Sequence, residues 1–96
     1  MSRPDLLLAF DDEARPAGAL AAQLGVPWAL VQRHRFPDGE LRLRLPPQLP
    51  PRIVILRGLH QPNEKLVELL IAAPAARELG AREITLVCPY LAYMRQ

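Results

Sequence analysis

Residues 61–96 read QPNEKLVELLIAAPAARELGAREITLVCPYLAYMRQ, and this stretch decides the fold. Leu66, Leu69, Leu70, Ala73, Ala76 and Leu79 share one face at 3.6-residue spacing, which predicts a helix. Asn63 stands where an N-cap belongs and Gly80 where a helix stops. Pro74 lies inside it, removes one backbone bond and crowds the carbonyl of Leu70, so a kink or break is expected near Ala72 to Pro74. After Gly80 comes Glu83–Cys88, a short apolar run rich in β-branched residues, read as a buried strand with Cys88 in the core. Pro89 then ends the ladder. Helix, tight turn and parallel-type strand form half of a βαβ unit. In open α/β sheets, ligands bind just beyond the carboxyl ends of strands. That rule gives Tyr90, Tyr93, Arg95 and Gln96 a ligand-facing place.

Working back towards the N-terminus, Arg52–Leu56 (RIVIL) is another buried strand. Its carboxyl-end loop holds Gly58, where a backbone or ligand can approach closely, and His60, either a loop histidine or an acid–base group. Pro46 to Pro51 is a stiff, extended connector. Before it, Leu41, Leu43 and Leu45 alternate with Arg42 and Arg44, a period-two strand. Phe36-Pro37-Asp38-Gly39-Glu40 joins it to Trp28–Arg35 through an Asp–Gly turn, so these two strands form an antiparallel hairpin. Asp12 to Leu24 is a first helix, with Ala17, Leu20, Ala21 and Leu24 inward and Gly25 as its stop. Asp5–Phe10 opens the chain as a central strand, apolar on both faces. The acidic run Asp11-Asp12-Glu13 between them has two readings. One residue caps the helix, whose macrodipole favours acids there, or a carboxylate pair at a strand end holds a metal.

Ninety-six residues, half of them hydrophobic, allow one small domain with a real core. Twelve Lys+Arg against ten Asp+Glu, net +2, is not a nucleic-acid footprint. One cysteine excludes an internal disulfide and argues for a cytoplasmic setting. Leu6 to Phe10 is too short for a signal peptide, and no apolar run approaches the ~20 residues of a membrane span.

Three stretches together carry a resemblance to one family. Arg35-Phe36-Pro37-Asp38-Gly39-Glu40 resembles the RF-x-DGE motif of ribose-phosphate pyrophosphokinases, the phosphoribosyl pyrophosphate synthetases. Residues 63–71, NEKLVELLI, resemble that family's NDNLMELL helix. Residues 89–96, PYLAYMRQ, resemble its PY-x-x-YARQ segment, and order and separations match. Asp11-Asp12-Glu13, Arg57-Gly58-Leu59-His60 and the Pro46 to Pro51 connector depart from the common pattern and mark a divergent branch.

The resemblance implies two α/β halves of the type I phosphoribosyltransferase kind, of which residues 1–96 are the N-terminal domain and the C-terminal domain lies outside this chain. It implies transfer of diphosphate from ATP to the 1-hydroxyl of ribose 5-phosphate with Mg²⁺, for nucleotide biosynthesis. Phe36, Asp38 and Glu40 on the hairpin match residues that hold the adenine of ATP bound to a neighbouring subunit. Arg95 and Gln96 match residues on the ATP side of the same site. Neither catalytic nor metal-binding residues are carried over, since the family's lie beyond Gln96, and the chain alone is expected to be inactive.

The expected fold is therefore α/β, a three-layer sandwich with a mostly parallel sheet, a phosphoribosyltransferase-like half, plus a projecting antiparallel hairpin. Right-handed crossovers place the two helices on opposite faces if the strand order doubles back after the first strand. The expected partners are ATP, ribose 5-phosphate and further copies of the chain, in a homo-oligomer of two or more, with neither nucleic acid nor membrane. The rival reading is a non-catalytic regulatory or assembly domain of a synthetase. A third is a phosphoribosyltransferase-type module for another ligand.

Overall fold

A computed structural model describes residues 3–58 and 62–88. The element order is β1 (Leu6–Phe10), a 3-10 turn (Asp11–Glu13), α1 (Ala14–Leu24), β2 (Trp28–Arg35), β3 (Leu41–Arg44), β4 (Arg52–Leu56), α2 (Pro62–Glu78) and β5 (Glu83–Val87). The strands form one sheet in the order β3-β2-β1-β4-β5. All neighbouring pairs are parallel except β2 with β3.

The strand order doubles back at β1, so the two crossovers leave in opposite directions and their helices cover opposite faces. Alternation along the strands sorts the interior into two halves. Leu8, Phe10, Ile53 and Ile55 meet Ala72 and Ala76 of α2. Leu7, Ala9, Val54 and Leu56 meet Ala17 and Ala21 of α1. Small residues at the helix contacts let both helices lie close to the sheet. The result is the expected three-layer sandwich.

The hairpin projects as expected, and the register shows why. β1 ends its pairing with β2 at Phe10 opposite Val31. Residues 32–35 of β2 run past it and pair only with β3, from Gln32 opposite Arg44 to Arg35 opposite Leu41.

Four expectations are corrected. The inward face of α2 is Lys65, Glu68, Ala72 and Ala76, with Leu69 and Leu79 packed against the core. Leu70 is 74% exposed and joins Val67 and Ile71 on the outer side. Apolarity misleads here because the buried face carries two charged residues that have partners. Second, α2 runs unbroken through Pro74 and begins at Pro62, which puts Asn63 in its first turn rather than at the cap. Pro74 lies on the exposed side, beyond the sheet contact, where a carbonyl deprived of its amide can turn to water. Third, β5 is an edge strand and only half-buried, with Leu86 exposed and Cys88 intermediate. Fourth, Leu24 of α1 is exposed, while Ala17 and Ala21 are buried and Leu20 is partly so.

Gly25 closes α1 in the left-handed conformation at φ 68°, as its position implied. The Pro-rich connector is anchored rather than loose. Leu49 is buried, and its amide donates to the Leu79 carbonyl at 2.9 Å. Gly80 passes so close that a Cβ there would lie 2.5 Å from the Leu49 oxygen.

Candidate functional site

Two places concentrate polar chemistry among the described residues: the carboxyl ends of β1 and β4, and the hairpin. At the first, β1 runs directly into Asp11–Glu13, and β4 runs into Arg57. Arg57 is fully buried and lies 4.2 Å above the Phe10 ring. Its Nη1 donates to Asp12 at 2.5 Å and to Glu13 at 3.0 Å, and its Nη2 donates to Glu68. The Gly58 amide donates to both Glu13 oxygens, at 3.2 and 3.1 Å. Arg33 on β2 reaches across, with its Nε 2.6 Å from Asp11 and its Nη1 3.1 Å from Glu68. Lys65 on α2 donates to Asp12 at 3.0 Å.

Three cations and four carboxylates thus form one connected network. Burial by itself raises the Asp12 pKa. The hydrogen bonds from Arg57 and Lys65, and the charges of Arg57 and Arg33, outweigh it and bring the group from its ordinary 3.8 down to about 2. Burial by itself lowers both arginines, but Asp11, Glu68 and Asp12 around Arg33, and Asp12, Glu68 and Glu13 around Arg57, outweigh it and hold them above their ordinary value. Burial and the nearby Glu13 charge raise the Cys88 thiol, so it is no ready nucleophile.

Neither reading of the acidic run survives this geometry. Neither the 3-10 turn nor α1 has a side-chain cap hydrogen bond. The carboxylates are occupied by arginine, lysine and a backbone amide, and among the described residues no cluster of three His, Cys, Asp or Glu could hold a metal. They tie β1, β2, β4 and α2 together instead. Sequence reading missed this role for Arg33, Arg57, Lys65 and Glu68. The available signal was a charged pair at i and i+3 on the sheet-facing side of a helix, with an arginine ending a buried strand.

At the hairpin, the turn is built as the Asp–Gly pair implied. Gly39 takes φ 93°. The Phe36 amide donates to the Glu40 carbonyl at 2.8 Å. Asp38 accepts from the Glu40 amide at 3.0 Å, so its carboxylate braces the loop. Phe36 is half-buried rather than a core residue. His34 meets its ring edge-on with centroids 4.3 Å apart, and the Arg42 guanidinium stands 5.6 Å from its centroid. The Glu40 side chain is exposed. Of the expected site residues, Phe36, Asp38 and Glu40 are therefore brought together on one turn. Arg95 and Gln96 lie outside the described residues, as do His60, Tyr90 and Tyr93.

Comparison with known proteins matches this frame. Residues 6–96 match the family model described as the N-terminal domain of ribose phosphate pyrophosphokinase. The chain is 39% identical over 92 residues to the ribose-phosphate pyrophosphokinase of Methanopyrus kandleri, covering 95% of this chain and 32% of that protein. It is 39% identical over 87 residues to that of Thermococcus kodakarensis, covering 91% and 29%. It is 36% identical over 80 residues to that of Saccharolobus solfataricus, covering 81% and 28%. The chain thus spans about a third of the length of the curated relatives it matches. In fold it is similar to the purine phosphoribosyltransferase of Pyrococcus horikoshii, with a TM-score of 0.65 at 21% identity, over 94% of this chain and 65% of that one. The hairpin motif, the helix motif and the extent of the match agree, and the chain belongs to the family of ribose phosphate pyrophosphokinase N-terminal domains.

Proposed function

We propose that this chain is the N-terminal, ATP-side domain of an enzyme that transfers diphosphate from ATP to ribose 5-phosphate. The observation that carries this reading is the hairpin, which runs past the end of β1 and holds Phe36 half-exposed beside the braced Asp38 turn. An aromatic face at a projecting tip suits adenine, and Glu40 offers an acceptor for its exocyclic amine. Arg95 supplies a fork of donors for phosphate oxygens, with Gln96 beside it. The relatives' names support ATP and ribose 5-phosphate as substrates.

Mg²⁺ belongs to this reaction as the partner of ATP and offsets charge on the transferred group. The described carboxylates do not fit as its ligands, because Arg33, Arg57, Lys65 and the Gly58 amide already engage those at the strand ends. The chain's own contribution is to bind and orient ATP. Transfer also needs a positioned acceptor, so the 96-residue chain by itself is expected to release no AMP from ATP and ribose 5-phosphate.

Calorimetric titration with ATP tests the reading. Base stacking is worth ~1–3 kcal/mol, so Phe36→Ala should weaken ATP binding at least about fivefold. Unchanged affinity in this variant, or none in the parent chain, would favour the assembly-domain alternative.

Self-association is part of the same proposal. Val67, Leu70 and Ile71 are 50%, 74% and 42% exposed on the outer side of α2, and such contiguous apolar surface is usually covered. Sedimentation at high protein concentration should show a dimer or larger species, and a clean monomer would remove this part of the reading. A cytoplasmic location completes it, supported by the single free cysteine. Among the described residues no helix is long and apolar enough to cross a membrane.

A further inference from the structure

The hairpin leaves the sheet at Arg33, and the bonds made there go beyond those a strand needs. Pairing of β2 with β1 ends at Val31 opposite Phe10. Two residues on, the Arg33 amide faces the place where β1 would continue, but β1 has given way to the 3-10 turn. The Asp11 carboxylate takes that rung instead and accepts from the amide at 3.2 Å. Its other oxygen accepts from Arg33 Nε at 2.6 Å. One carboxylate thus grips both the backbone and the side chain of the residue at the hairpin's base. From α2, Glu68 accepts from Arg33 Nη1 at 3.1 Å. Glu68 is 2% exposed and also holds Arg57, so this anchor is itself fixed. Beyond Arg33, β2 pairs only with β3. Leu43 and Leu45 rest on the α2-side core and restrain the hairpin there. Towards β1, the polar restraints on Arg33 among the described residues are Asp11 and, at 3.7 Å, Asp12.

We infer that Arg33 is a positioning residue. Clamped by Asp11 at the end of β1 and by Glu68 on α2, it fixes the angle at which the hairpin leaves the sheet, and with it the place of the Phe36 turn. Phe36 lies three residues beyond Arg33, about 10 Å at the rise of an antiparallel strand. A tilt of about 6° at Arg33 therefore moves the ring by about 1 Å, a misplacement that can cost a positioned reaction about 100-fold. The guanidinium suits this task because its planar fork serves two carboxylates at once, which a lysine ammonium on a flexible stem does not do in a fixed geometry. Glu68 joins the same clamp to Arg57, so the end of β4 and the base of the hairpin share one anchor. What the turn does for a nucleotide rests on the reading above, whereas the clamp itself stands on these bonds alone.

The test measures residual dipolar couplings of backbone amides on the whole chain in a weakly aligning medium. In the parent, amides at 34–36 and 39–43 should fit the same alignment as those of β1, β4 and β5. In Asp11→Ala and Arg33→Met the sheet should keep its alignment while the hairpin couplings depart from it. Arg33→Lys, which keeps the charge, serves if Arg33→Met unfolds. Asp11→Ala should also speed exchange of the Arg33 amide at least about tenfold, as for a lost bond to a charged acceptor. Leu79→Ala, which loosens the core near the far end of α2, should leave the hairpin couplings unchanged. Titration with ATP adds the readout that tells positioning from simple charge. Arg33→Met should weaken ATP at least about fivefold, as Phe36→Ala does, and should weaken it no further in the Phe36→Ala background. Hairpin couplings that stay with the sheet in both clamp variants, or that depart equally in Leu79→Ala, overturn the proposal. So does an Arg33→Met effect on ATP that persists in full without the Phe36 ring. If Phe36→Ala leaves ATP affinity unchanged, the nucleotide reading falls, and the couplings alone uphold or overturn the clamp.

Discussion

Replacing Arg57 with alanine is expected to cost about 3–5 kcal/mol of folding stability, the range for breaking a buried ion pair from one side. Asp12, Glu13 and Glu68 would then keep their charges near a low-dielectric interior with only Arg33 and Lys65 to oppose them. A domain of this size has only about 5–15 kcal/mol in total, so the variant should sit close to unfolding at ordinary temperature. Urea unfolding with an unchanged slope would report the loss, and a change under about 1 kcal/mol would contradict it. Changing Arg57 together with Glu68 to methionine and leucine should cost much less, because the unpaired charge rather than the missing pair carries most of the penalty. The network also sets the acid limit. Asp12 titrates lower folded than unfolded, at about 2 against 3.8. Its contribution is therefore fully present above pH 3.8 and is lost as pH falls from there towards 2. A variant lacking the Arg57 charge starts from lower stability but should lose less of it over this acid window, because its folded Asp12 titrates closer to the ordinary value.

Phe10→Ala should cost about 3–5 kcal/mol, by lost burial and by the cavity left in the α2-side core. Phe10 is fully buried on the central strand and also forms the floor under Arg57. The two effects separate in Phe10→Leu, which keeps most of the volume and should cost under about 1.5 kcal/mol from packing alone. A double-mutant cycle between Phe10→Leu and Arg57→Met should show coupling of about 0.5–2 kcal/mol, the worth of a desolvated cation over a ring. Additive behaviour would mean that the guanidinium gains nothing from the aromatic face.

The architecture was legible in the sequence because three local signals agreed. Short apolar runs gave β1, β4 and β5, alternation with an Asp–Gly turn gave the β2–β3 hairpin, and glycine stops bounded both helices. What failed were statements about which face is buried. Leu70 was placed inward on periodicity, yet α2 turns Lys65 and Glu68 towards the sheet. A hydrophobic pattern cannot show that a charge is buried when its partners, Asp12, Arg33 and Arg57, lie on other elements distant in sequence. β5 looked buried by composition, but strand order, which local sequence does not encode, places it at an edge. The hairpin side of the candidate site was legible from one motif. The ion network was not, because no single segment contains it.

The sheet dividing the interior into two halves has a consequence for how substitutions combine. Leu7 and Leu8 are covalent neighbours on β1, yet one faces α1 and the other α2. Energies of mutation add when sites share no partners. Defects at these adjacent positions should therefore accumulate almost independently, whereas Leu8 should trade volume with Ala72 or Ala76, far along the chain. A homologue can drift on one side of the sheet without compensating change on the other, so the chain can evolve as two interiors that share one backbone.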